Sequence, residues 1–162
     1  MMTTHVFVVD EITFRCHLKY LFAGTGAKDK DVDFNGTPTS TLYPPKKYAA
    51  EASLVAMMSD CSRLRDGDLV LFYLRSGSGR DGMFYGVFQV VGDPFLERTG
   101  INQYLLSELN KNLTFRVRIA PYMVFPRGIT EWQALDEIRN LTSPNQMLWS
   151  LIYRKLRGNR GN

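Results

Sequence analysis

The stretch "RDGDLVLFYLRSGSGRDGMFYGVFQVVGD", residues 65–93, limits what this chain can fold into more than any other. Asp66-Gly67 marks a turn. Leu69 to Leu74 is an unbroken apolar run of strand length. Ser76 to Gly82 is a glycine-rich hairpin loop, and Phe84 to Val91 is the returning strand. A hairpin of this kind requires an antiparallel sheet. Gly86 interrupts the second strand and predicts a bulge or a close backbone approach. Tyr73 and Tyr85 are expected to face each other across the hairpin.

The flanking segments supply more strands and several helices. Val6 to Val9 is a β-branched apolar run that ends at Asp10 and reads as a buried strand. In "EITFRCHLKYLF" the apolar residues recur at helical spacing, which predicts a helix over about 12–22, with Gly24 and Gly26 ending it as a glycine cap. Residues 27–47 read as a long polar loop closing at "TLYPPKK". The alanine- and methionine-rich "KYAAEASLVAMMSDCSRL" reads as a second helix. Residues 101–112 carry a weak helical pattern.

In "LTFRVRIAPYMVF", Phe115, Val117 and Ile119 alternate with Arg116 and Arg118. This predicts a half-buried strand that Pro121 and Pro126 bend or confine to an edge. Thr130 suits the N-cap of a short helix in "TEWQALDEI". Ser143-Pro144 opens a last helix, and "RGNRGN" reads as a tail or linker. The order of strand, helix, helix, hairpin, strand and helix is not a regular βαβ alternation. It points to an α+β fold, with a curved sheet or small β-barrel flanked by helices. One domain over residues 1–156, followed by a tail at 157–162, accounts for the whole chain.

At 162 residues the chain can bury a core without staples. Its two cysteines, Cys16 and Cys61, have no metal-type or CxxC spacing and read as free thiols of a reducing compartment. No apolar run reaches membrane length and the N-terminus lacks signal-peptide features, so a cytoplasmic location and no membrane partner are expected. The net charge of +4 leans towards polyanions, and ten Phe, eight Tyr and two Trp suit a pocket that stacks flat rings.

Signatures of catalysis are missing from the sequence. "LFAGTGAKD" has the glycines and lysine of a phosphate loop, but Asp29 follows Lys28 where Ser or Thr is needed, and a helix precedes it. His5 and His17 are the only histidines and neither sits in a nucleophile motif. Asp29, Asp31 and Asp33 lack the glycine and distal glutamate of a calcium loop. No metal, cofactor or catalytic residue is assigned.

The hairpin "LRDGDLVLFYLRSGSGRDGMFYGVFQVVGDP" resembles the signature of EVE domains, in which a Gly-Asp-hydrophobic strand precedes a turn and a returning Gly-Val strand. "FVVDEITFRCHLKYLFAGTG" and "LTFRVRIAPYMVFPRGIT" are similar to the first strand and helix, and to the later strand, of EVE and YTH domains. Both families belong to the PUA-like superfamily, and the resemblance spans most of residues 6–130. It implies a curved sheet or small barrel that binds a flipped, modified base between aromatic walls. Such walls hold the π-face and the methyl group, while polar groups read the edge.

Carried onto this chain, the resemblance implies a base pocket. Asp10 stands at the base-edge contact, or is simply a helix N-cap. Phe22 stands where YTH domains carry a tryptophan. Gly24 and Thr25 lie beside it, where the backbone approaches a base edge or merely caps the helix. Tyr43, Tyr73 and Tyr85 are further candidate walls, the last two with a sheet-face pair as the alternative. Phe95 or Tyr104 takes the place of a second cage tryptophan. Lys46, Lys47, Arg75, Arg80, Arg116 and Arg118 are the candidates for the nucleic-acid backbone.

The expected partner is nucleic acid, with modified DNA favoured over RNA. By the same resemblance the chain suits the specificity domain of a modification-dependent restriction system, whose nuclease or NTPase lies in a partner or a fused domain. The alternatives are an RNA-binding or RNA/nucleotide-acting PUA-like enzyme domain, and a protein-interaction module.

Overall fold

The structure is a computed structural model that describes residues 2–26, 58–97, 103–111 and 113–140. The expected loop at 27–47, most of the second helix, the last helix and the tail lie outside the described residues. So do Tyr43, Lys46 and Lys47.

Strand β1 (Thr4–Val9) leads into helix α1 (Glu11–Tyr20) and strand β2 (Phe22–Thr25). A helical stretch at 58–62 (α2) precedes β3 (Leu69–Leu74) and the long β4 (Met83–Leu96). Then follow a single turn, α3 (Leu106–Leu109), strands β5 (Phe115–Met123) and β6 (Ile129–Thr130), and α4 (Glu131–Asp136), which runs into a 3-10 turn at Glu137–Asn140. The six strands form one mixed sheet in the order β1-β3-β4-β5-β2, with β6 added beside the start of β4. Among the described strands only β1 and β3 pair in parallel. The two edge strands β1 and β2 come into contact, so the sheet curls into a half-barrel. This α+β architecture is the expected fold class and is compatible with PUA-like folds. No helix among the described residues is long and apolar enough to cross a membrane.

The hairpin forms as expected. Gly77 and Arg80 exchange both backbone hydrogen bonds around Ser78 and Gly79, whose φ angles of 49° and 76° match the right-handed twist of the flanking strands. Gly86 is the extra residue of a bulge: Leu71 pairs with Val87 and Phe72 with Tyr85, which leaves Gly86 unpaired at φ 58°. The bulge also corrects one expectation. Tyr73 pairs with Phe84, not with Tyr85, so the two tyrosines point to opposite faces.

The glycine-rich stretch after α1 also departs from expectation. Leu21 caps the helix in the left-handed region at φ 50°, and its N–H donates to the His17 carbonyl. Phe22–Thr25 then pairs antiparallel with Phe115–Arg118. Gly24 therefore serves strand packing instead of helix termination, since a Cβ there would meet the Phe115 carbonyl at 3.1 Å. The weak helix of 101–112 shrinks to α3, with Leu105 and Asn110 left-handed on either side. Thr130 caps α4 as expected: Gln133 N–H donates to its Oγ1 at 3.2 Å, while Gln133 Oε1 accepts from Thr130 N–H at 2.9 Å.

The main core fills the concave side of the sheet. Phe72, Val70, Phe88, Val90, Val117 and Ile119 are buried there, with Phe7, Phe14 and Tyr85 packed at its margin. A smaller cluster of Cys16, Phe22, Leu109 and Leu113 joins α1 to α3 and β2. The start of β1 is held by buried Asp68, which accepts from Thr3 N–H, Arg65 N–H and His5 Nε2 at 2.8–3.1 Å.

Candidate functional site

Charged and aromatic side chains converge at one end of the half-barrel, where β1 and β3 stop, β4 begins and α1 starts. The convergence follows from the parallel pairing of β1 with β3, which ends Val9 opposite Leu74, and Arg75 N–H then donates to the Val9 carbonyl at 3.0 Å. Asp10 and Arg75 are thereby brought together, with Arg75 Nη2 at 3.8 Å from Asp10 Oδ2. Lys111, far away in sequence, reaches the same carboxylate oxygen.

Asp10 is the N-cap of α1, its Oδ1 accepting from Thr13 N–H at 2.9 Å. Burial alone would raise its pKa, but hydrogen bonds from Lys111 and Thr13 and the Lys111 charge outweigh burial and hold the carboxyl at about 2. Asp10 is therefore ionised throughout the ordinary pH range. It is a fixed hydrogen-bond acceptor, far from the pKa near 7 that proton transfer favours.

One helical turn further on, Phe14 packs against Tyr85 at 5.3 Å between ring centroids and edge-on against Phe72 at 5.7 Å. Phe14 and Tyr85 are half-buried and form an aromatic wall beside the Asp10 group. Gly128 lies against the Tyr85 ring, at a place where a Cβ would stand 2.8 Å from it. Arg80 belongs to the same end, its Nη2 donating to the Arg75 carbonyl at 3.3 Å.

Next along α1 comes His17, fully buried. Its ring stands edge-on to Phe22 at 4.7 Å and tilted over Phe72 at 5.2 Å. Burial, and then the nearby Arg116 and Lys111 charges, push its pKa down to about 3, so the imidazole is neutral.

The remaining sequence candidates separate. Phe22 is buried, with the Arg116 guanidinium 5.0 Å from its ring centre. Arg116 is itself buried and its donors go to main-chain carbonyls, Nε to Leu113 at 2.8 Å and Nη2 to Tyr104 at 2.6 Å. Arg118, two residues on, is exposed, so the pair does not act as one surface patch. Tyr73 lies on the convex face against Phe84. Thr25 ends β2 opposite Phe115. Tyr104 is exposed at the far end of α1, edge-on to Tyr20, which shares Glu108 with Lys19.

Phe95 lines a different feature, an open groove of about 410 Å³ between α2 and the end of β4, with Met58, Cys61, Leu64 and Leu96. Asp10, Arg75, Arg80 and Tyr85 are thus the candidates that the fold gathers at one end. Phe14 and Lys111 join them without any signal in the sequence. Phe14 is one of several apolar positions of α1, and Lys111 is brought in by tertiary folding alone.

No family model matches the chain, and no curated protein is significantly similar to it.

Proposed function

We propose that this protein is a nucleic-acid-binding module that holds a modified base at the β1–α1 end of the half-barrel. The observation that carries the proposal is the Asp10 group: a permanently ionised acceptor flanked by Arg75 and Lys111, beside the half-buried aromatic wall of Phe14 and Tyr85. A base needs these three components. Aromatic faces take the ring and its methyl group, a fixed acceptor takes an amino group at the edge, and cations at the rim take the flanking phosphates. The curled sheet and the order of its elements support the EVE/YTH-like reading of the sequence. So does the net charge of +4. Modified DNA is the favoured ligand, and a role as the specificity domain of a modification-dependent restriction system fits that choice.

The test is fluorescence anisotropy with short labelled DNA and RNA carrying methylcytosine, hydroxymethylcytosine, methyladenine or unmodified bases only. The expected result is tighter binding of one modified DNA than of its unmodified control, with a gap that persists as salt is raised. Equal affinity for all probes, vanishing together in salt, would leave only charge attraction and defeat the proposal.

A further inference from the structure

Thr13 and His17 lie one turn apart on the face of α1 that meets the sheet, directly below Asp10. Both are buried. Both ring nitrogens of His17 have no hydrogen-bond partner among the described residues, and the Thr13 hydroxyl has none at full hydrogen-bond distance, its one interaction being a weak pull on the Asp10 carboxyl. Buried polar atoms are paired in the great majority of cases, and such under-satisfied groups in a row on one helix face call for a physical reason. Placing them there lowers stability, because the same volume filled by apolar atoms would need no partner.

Their setting suggests what they serve. Phe72 and Phe22 flank the His17 ring, and Phe14 packs on Phe72 beside it. A neutral imidazole presents one donor and one acceptor, and a hydroxyl can be either. Above them Asp10 accepts from Thr13 N–H and from Lys111. The groups whose charges act on His17 are Arg116, Lys111 and Asp10. Polar groups therefore follow one another from the charged rim into the packed core, between aromatic planes. A hydroxyl, a ring N–H and a ring nitrogen can together pair with the edge of a nucleobase, which carries amino, ring-nitrogen and carbonyl groups side by side.

We propose that Thr13 and His17 form the edge-reading floor of the base pocket, and that the Lys111 side chain is the strap that leaves Asp10 when a base slides between α1 and the sheet. This rests on the base-binding function proposed above. Lys111 is suited to the part, because its side chain is partly exposed and its ammonium can exchange the Asp10 carboxylate for a phosphate of the incoming strand.

The experiment compares wild type with Thr13→Val and His17→Leu, both close in size to the residues they replace and both without a buried orphan. Binding is read by anisotropy on labelled single-stranded DNA carrying methylcytosine, hydroxymethylcytosine or methyladenine, and on the unmodified strand. Thermal melting at neutral pH reports the fold. The expected result is that the variants melt no lower than wild type, yet lose about tenfold or more of the affinity for the modified strand that wild type prefers, while the salt slope set by phosphate contacts is unchanged. In parallel, the ring-nitrogen NMR signals of His17 shift when wild type takes up the modified strand, a signature that holds even if His17→Leu fails to fold.

Full affinity for the modified strand in Thr13→Val, with His17 signals unmoved by the ligand, overturns the inference and leaves the base-binding function standing. Absence of any preference in wild type overturns both.

Discussion

His17 decides the behaviour of the α1–sheet interface at the scale of single residues. Its pKa is near 3 in the folded protein, against an ordinary value of 6.5. Between those values the unfolded chain takes up a proton that the folded chain refuses. The stabilisation is complete above about pH 6.5 and is lost progressively as pH falls towards 3. The loss amounts to an upper bound on the order of a few kcal/mol. Asp10 and Asp68 are held below the ordinary carboxylate value of 3.8, and their contributions fall away only at lower pH. Glu108 is likewise held below its ordinary value of 4.5, so urea unfolding at pH 7, 6 and 5.5, above the carboxylate range, isolates the histidine. Wild type is expected to weaken steadily across that series, and His17→Leu to stay level. Arg116 shows the same issue from the sequence side. Alternation with Phe115 and Val117 places it on a polar face, yet the fold buries it and turns its donors to the Leu113 and Tyr104 carbonyls. Local pattern carries no information about such distant carbonyls.

Among the elements, the hairpin was the most legible in sequence because its signals are local. Apolar runs of strand length, a Ser-Gly turn and a glycine inside the returning strand foretell β3, its tight loop and the bulge at Gly86. Strand β2 departs from its sequence pattern for an equally local reason. Two glycines after a helical pattern resemble a cap, whereas Leu21 takes the left-handed position and Gly24 is needed where β2 crosses close to the Phe115 carbonyl. The pairing partner of β2 lies some ninety residues away, beyond any short-range signal. The bulge itself makes a prediction. At φ 58°, with the Phe88 ring 2.8 Å from a would-be Cβ, Gly86→Ala strains the backbone and displaces a core ring. The expected loss is roughly 1–3 kcal/mol in denaturant unfolding. A change of Gly79, whose surroundings are open, should cost less despite its positive φ.

Across the whole molecule, the curl of the sheet turns separate chain segments into one charged end. Asp10, Arg75 and Lys111 come from the β1–α1 junction, the end of β3 and the stretch before β5, and only the first two were legible as candidates. Part of this charged end was thus readable in sequence. The rest depended on which side of the sheet α1 covers and on where the chain after α3 returns. If this end binds nucleic acid, Arg75 contributes through charge. Arg75→Ala is expected to weaken binding to all strands alike and to lower the slope of log affinity against log salt by about one. Preference among bases should be untouched. The central claim, that a modified base is taken up beside Asp10, is tested most directly by amide chemical-shift mapping of the full chain with a modified single strand. The account predicts the largest changes at Asp10, Thr13, Phe14, Arg75 and Lys111. Changes confined to the Met58–Phe95 groove, or no base-dependent change anywhere, would contradict it.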